Sequence, residues 1–233
     1  MLYMVGLGLD DGEITLEGEE AVRKADRVYA EFYTNTANID LEELEERTGS
    51  DIEVLERSEV EQEDVVLESA RERDTAFLVS GDPLTATTHY DIRHRAGQEG
   101  VETRVFHAPS ILTSVSETGL NVYKFGRTVT LPEDSAPESV VEYIGRNDSV
   151  GLHTLVLLDI DYDAADAAEK LVELEPGLED REAVVLSRAN RDSQDVEVGE
   201  LGELDHDFGE PPHSIIIIGD TSHKEEEFLE AYR

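Results

Sequence analysis

The chain of 233 residues has no cysteine and no tryptophan. Without thiols it can form no disulfide framework, no thiolate metal site and no cysteine nucleophile. Long apolar runs are missing too. The longest branched-aliphatic run is "IIII" at 215–218, far short of the roughly 20 residues that span a bilayer. "MLYMVGLGL" lacks the basic segment of a secretory signal and leads straight into a strand-turn pattern, so no signal peptide is expected. A cytoplasmic protein with no membrane contact follows. No H-E-x-x-H spacing occurs among the 7 histidines, and neither G-x-S-x-G nor a Walker A loop is present. Metalloprotease-type, α/β-hydrolase and P-loop chemistries therefore drop out.

Positive charge is also scarce. Nineteen Lys and Arg stand against 56 Asp and Glu, giving a net charge of −37, and the lysines number only 4. The acids are spread along the chain, and "LEELEER", "VEQED" and "KEEEFLE" read as solvated helix faces. An evenly acidic, lysine-poor surface resembles that of proteins from salt-loving archaea, where screening in molar salt removes the self-repulsion. The chain offers no basic stretch to a nucleic acid, and its 6% aromatic content leaves few stacking platforms. Acidity alone weighs only mildly on that point, because halophilic nucleic-acid enzymes are acidic as well.

At 39% hydrophobic the chain can bury a sizeable core. Branched strands alternate with helical patterns through the first half: "LYMV", "LEGEEAVRKAD", "RVYAEF", "IDLEELEERTG", "DIEVL", "QEDVVLESARERD", "TAFLV", a helix after Thr88, and "VETRVF". This predicts a mainly parallel sheet covered by helices. Past "HAPS" the alternation loosens. A helix ending at Gly119 and a turn-rich stretch over 123–137 lead into further strands at "TLVLLDI", "AVVLS", "DVEVG" and "SIIIIG". The expectation is two α/β domains, 1–108 with a mainly parallel sheet and 109–233 with a mixed one.

Several strands end in small or polar residues: Gly6–Leu9, Ser80–Thr85, His107–Ile111, Leu158–Asp159 and Ser187–Ala189. Open α/β sheets place ligands at such carboxyl ends. "SGDPLTATTH" reads in two ways, as a Gly-Asp-Pro corner whose hydroxyls cap the next helix, or as one wall of a ligand site. The glycine pair of "VGLGLDDG" is no dinucleotide fingerprint, because the third glycine would fall at Asp11. Thr15 reads as a helix N-cap. His153 and His213, each beside an apolar strand, read first as packed, hydrogen-bonded residues.

Taken together and in order, "GLGL", "AEFYT", "GDPLTATTH", "HAPSI", "TGLNVYKFG", "GLHTLVLLDI" and "DFGEPPH" resemble the diphthine synthase family. That family lies within the tetrapyrrole methylase-like superfamily, and the resemblance covers nearly the whole chain. It implies two α/β domains with an S-adenosyl-L-methionine cleft between them, usually in a homodimer. It also implies N-methylation of the amino group on a 3-carboxy-3-aminopropyl-histidine of elongation factor 2, forming diphthine in diphthamide biosynthesis. The cofactor contacts carried over from the family are Leu9, Asp82, Thr85, Ser110, Ile111, Leu158, Ala189 and His213. Family members commonly have "RAGS" where this chain has "SRANR". No catalytic residue is assigned and no metal is implied; His153 and Asp82 are candidates for a base, and water could suffice. The alternatives are a corrin or tetrapyrrole methylase, a ribosomal RNA methylase of the same fold, and a non-catalytic cofactor-binding protein.

The charge generates a first prediction. With −37 on 233 residues, unscreened repulsion should loosen the fold in dilute buffer. Circular dichroism should show helix content rising between dilute buffer and molar potassium chloride; identical spectra would refute it.

Overall fold

A computed structural model describes every residue except Thr36. The chain divides into two compact units, Met1–Leu112 and Thr113–Arg233.

In the first unit, β1 (Leu2–Gly6), α1 (Leu16–Lys24), β2 (Arg27–Glu31), α2 (Leu41–Thr48) and β3 (Ile52–Val54) are followed by α3 (Arg57–Glu61), α4 (Val65–Glu72), β4 (Thr75–Val79), α5 (Tyr90–Gln98) and β5 (Thr103–Phe106). The five strands form one wholly parallel sheet in the order β3-β2-β4-β1-β5. All five residues of central β4, "TAFLV", are buried, as a strand covered on both faces requires. Val22 and Leu44 of α1 and α2 pack with Val5, Val28, Ala76 and Leu78 on one face. On the other, Val60, Leu67 and Ile92 of α3, α4 and α5 pack with Met4, Tyr29 and Phe77. Thr15 caps α1 by accepting the Gly18 amide. The sequence reading did not include α3; α4 begins only at Val65, after Asp64 turns into left-handed backbone at φ 56°.

The short helix α6 (Ile111–Ser114) spans the division and tightens into a 3₁₀ turn, Val115–Thr118, that ends at left-handed Gly119, φ 80°. The expected helix is thus a single α turn with a 3₁₀ extension. The second unit continues with β6 (Val129–Leu131), α7 (Ser139–Asp148), β7 (Thr154–Leu158), α8 (Ala164–Leu174), β8 (Glu182–Ser187), β9 (Asp195–Glu200), β10 (His213–Ile217) and α9 (His223–Leu229). Its sheet runs β6-β7-β10-β8-β9, with β6 parallel to β7 and the remaining pairs antiparallel, a mixed sheet. Strand β6 lies in the stretch that read as turn-rich. The helix α8 carries buried Ala164, Ala167, Ala168 and Leu171 at helical spacing, and Asp163 caps it through the Ala165 amide.

One acidic stretch departs from its reading. "KEEEFLE" is not solvated throughout, because Glu225 is 3% exposed. Its carboxylate takes Lys124 Nζ at 2.7 Å, the amides of Asn121 and Ser222 at 2.9 and 2.7 Å, and His153 Nε2 at 3.2 Å. Burial alone would raise this carboxyl, but Lys124 and the amide donors hold it well below the usual carboxylate range. The sequence signal was the capping box Ser222-x-x-Glu225. Among the described residues no helix is long and apolar enough to cross a membrane.

Candidate functional site

In the first unit the turns after β1, β4 and β5 meet. Gly8 and Gly81 bridge through paired backbone bonds of 3.2 and 2.7 Å. A Cβ on Gly6 would lie 2.7 Å from both the Gly81 carbonyl oxygen and the Ala108 Cβ, so only glycine permits this approach. The Glu13 carboxylate accepts the Leu9 amide at 2.6 Å and fixes the "GLGL" turn from the side.

Asp82 is the hub. Its Oδ1 accepts the Leu84 amide and the Thr85 hydroxyl, both at 3.0 Å, while its Oδ2 accepts His107 Nδ1 at 2.7 Å and the Ala108 amide at 3.3 Å. A carboxylate has about four acceptor positions, and here the protein's own donors occupy them. Asp82 therefore joins the turn after β4 to the turn after β5, where Ser110 and Ile111 follow. Leu9, Asp82, Thr85, Ser110 and Ile111 accordingly lie on turns that converge at one edge of the parallel sheet. All four donors on this carboxylate come from the protein itself.

In the second unit the register does the same work. His213 pairs with Ser187, and extending the β7–β10 ladder one step from Ser214 and Leu157 sets His213 opposite Leu158. Leu158, Ala189 and His213 thus share one sheet edge. Arg188 and Asn190, on either side of Ala189, are left-handed at φ 50° and 69°. Where the family's "RAGS" carries glycine this chain has Asn190, and asparagine is among the residues that best tolerate that backbone. The Arg188 guanidinium secures the corner by donating to the carbonyls of Ser193, Phe208 and Glu210.

The three buried histidines differ by their partners. His153 accepts the Gly219 amide at Nδ1, 3.0 Å, and so donates from Nε2 to Glu225. Both nitrogens are used in a fully buried side chain, and burial lowers its pKa. His153 thus ties the Gly219 backbone to Glu225. His213 accepts the Ala164 amide at Nδ1, 3.1 Å, which leaves a protonated Nε2. That buried Nε2 has no partner among the described residues, and neither has the buried Ser80 hydroxyl beside Gly81. Orphaned buried donors cost about 1–3 kcal/mol each, and they fit a ligand rich in polar acceptors.

His89 lies in a cluster that the sequence reading did not assemble. Its Nε2 is 3.1 Å from the Tyr33 hydroxyl and its Nδ1 2.7 Å from Thr87 Oγ1. Glu31, fully buried, accepts the Thr34 amide and hydroxyl and lies 3.9 Å from the imidazole. Burial raises the Glu31 carboxyl and lowers His89 to about 4; burial, then the charges of Glu31 and Glu61, raise the Tyr33 phenol. The signal in the sequence was a lone glutamate closing the apolar strand "RVYAE". None of the loop hydroxyls caps α5, whose N-cap is His89 itself with no side-chain bond; Thr88 instead bonds Glu61 at 3.2 Å.

Strand-end turns in each unit, with a buried polar atom lacking a hydrogen-bond partner among the described residues in each (Ser80 Oγ and His213 Nε2), mark the class of proteins whose turns could receive a polar ligand. Comparison with known proteins gives the class its name. The family model for tetrapyrrole (corrin/porphyrin) methylases matches residues 1–205. The chain is 41% identical to the diphthine synthase of Halorubrum lacusprofundi over 98% of its length and 95% of the relative's. It is 38% identical to the diphthine methyl ester synthase of Schizosaccharomyces pombe, over 100% of this chain and 94% of that one. A crystal structure of a diphthine synthase superposes with a TM-score of 0.92 at 37% identity, covering 99% of this chain and 95% of the other. The chain belongs to the tetrapyrrole methylase family and, within it, to the diphthine synthases. It is an S-adenosylmethionine-dependent methyltransferase of diphthamide biosynthesis.

The neutral, buried His89 carries a pH prediction. The unfolded imidazole takes its proton near 6.5 and the folded one near 4. Between those values the unfolded state binds more protons, so this group's contribution falls as pH drops from 6.5 to 4, by about 3 kcal/mol in all. Denaturant titrations across that range should lose stability more steeply for the native chain than for His89→Asn. Equal slopes would show that the imidazole does not stay neutral in the fold.

Proposed function

We propose that the protein methylates the amino group of a 3-carboxy-3-aminopropyl-histidine on elongation factor 2, ending as a trimethylammonium. The observation that carries this reading is membership of the diphthine synthases along essentially the whole chain, at 41% identity to the Halorubrum relative. The residues proposed to hold the cofactor are Leu9, Asp82, Thr85, Ser110 and Ile111 in the first unit and Leu158, Ala189 and His213 in the second. In support, His213 Nε2 and Ser80 Oγ are buried without partners among the described residues. Leu9 and Ala189 supply apolar surface, and Asp82 contributes through the turn it fixes.

The cofactor supplies an electrophilic methyl group. The protein's part is to align the amine with it and to keep the amine neutral at the moment of attack, which exclusion of water favours. Each transfer forms one N–C bond, breaks one S–C bond and requires one proton to leave the nitrogen before the next. With Asp82 and His153 both committed to structural hydrogen bonds, water is the proposed proton acceptor. We place the protein in the cytoplasm beside its substrate, as a homodimer, with no nucleic acid among its partners. Its charge of −37 and its likeness to the Halorubrum protein support an origin in a salt-loving archaeon.

Incubation with unmethylated elongation factor 2 precursor and cofactor in molar salt, followed by mass spectrometry, tests the reading. Three successive gains of about 14 Da on one histidine derivative are expected. A fourth gain would match the methyl ester in the yeast relative's name. Methylation of ribosomal RNA or a corrin precursor with no gain on the factor would overturn the substrate assignment.

A further inference from the structure

Ala86 is exposed and left-handed, φ 54°, in the middle of the turn that carries Asp82 and Thr85. A residue with a Cβ loses roughly 1–2 kcal/mol in that conformation, and such strain persists only where the surroundings over-determine it. The turn is held from both sides. On the N-terminal side Thr85 donates its hydroxyl to Asp82 Oδ1 at 3.0 Å and its amide to the Asp82 carbonyl at 3.2 Å. On the C-terminal side Thr87 Oγ1 lies 2.7 Å from His89 Nδ1 and accepts the His89 amide at 3.3 Å.

His89 is itself held on several sides. It is 1% exposed, its ring meets Phe77 of β4 edge-on with centroids 5.0 Å apart, and Nε2 is bonded to Tyr33. The imidazole therefore anchors a solvent-facing turn to the buried sheet through one hydroxyl. We propose that His89 is a positioning residue for cofactor binding: acting through Thr87, it holds the strained Ala86 turn in the form that presents Thr85 on the turn fixed by Asp82. The inference rests on the assignment of Thr85 and Asp82 to the cofactor site, and it adds a residue outside that set whose effect is transmitted and not direct.

The two ring nitrogens have different partners, so amide replacements can separate them. An Asn amide reaches as far as Nδ1 and can keep the Thr87 bond; a Gln amide reaches Nε2 and can keep only the Tyr33 bond. Calorimetric affinity for S-adenosylhomocysteine should fall about tenfold in His89→Gln and in Thr87→Val, a change of ~1.4 kcal/mol. His89→Asn should recover most of that loss, and Tyr33→Phe should lower affinity less than twofold. A ring that merely filled space would give equal losses for Asn and Gln, which would overturn the proposal, as would native affinity in Thr87→Val, a variant that leaves the buried ring in place. Thr85→Ala separates this failure from failure of the site itself. If Thr85→Ala binds as the native chain does, the site assignment is wrong; if it weakens binding while His89→Gln does not, only the positioning role is wrong.

Discussion

The Asp82 carboxylate is the constraint on which the turns after β4 and β5 depend. Four donors converge on its two oxygens, two from its own turn and two from the turn after β5. Charge-assisted bonds of this kind are about twice as strong as neutral ones. Removing the acceptor would also leave the Leu84 and Ala108 amides to find new partners. The neighbouring glycines have the same logic in steric form. Gly6 lets backbone approach where any Cβ would collide, and left-handed Gly8 and Gly81 let two turns pair as a single antiparallel bridge beyond the ends of the parallel strands.

The second unit solves a similar problem by different means. Instead of a carboxylate hub, an arginine gathers carbonyls: Arg188 fixes the corner around Ala189 while register alone brings Leu158 and His213 alongside. Across both units, what a histidine does follows from what its second nitrogen meets. In His153 that nitrogen meets a carboxylate, in His89 a phenol, and in His213 nothing among the described residues. The same burial that lowers all three pKa values keeps these rings neutral and makes their tautomers matter.

Much of this was legible in the chain. Branched strands alternating with amphipathic helices disclosed the parallel first half, since a sheet buried on both faces needs continuous apolar strands such as "TAFLV". The looser second half foretold the mixed sheet. Motif order disclosed the family. What stayed hidden depended on partners distant in sequence. Glu225 read as one more surface acid because its lysine lies 101 positions away. The partners of Asp82 on the next turn, His107 and Ala108, come 25 and 26 residues later, so no local pattern shows the hub. The cluster of Glu31, Tyr33 and His89 is assembled by the pairing of β2 with β4, which no local pattern announces. Short elements were missed for another reason: α3 and β6, of 5 and 3 residues, are too brief to establish a period.

The claim most exposed to test is that one carboxylate joins two turns. Amide hydrogen exchange resolved to Leu84 and Ala108 reads this directly, since both amides donate to Asp82 and lie in otherwise irregular backbone. The account predicts slow exchange at both positions in the native chain, with both accelerated together, by about tenfold or more, in Asp82→Ala, which removes both acceptor oxygens. Rapid exchange at either amide in the native chain, or acceleration of Leu84 alone, would show that the two turns are not held by a common acceptor.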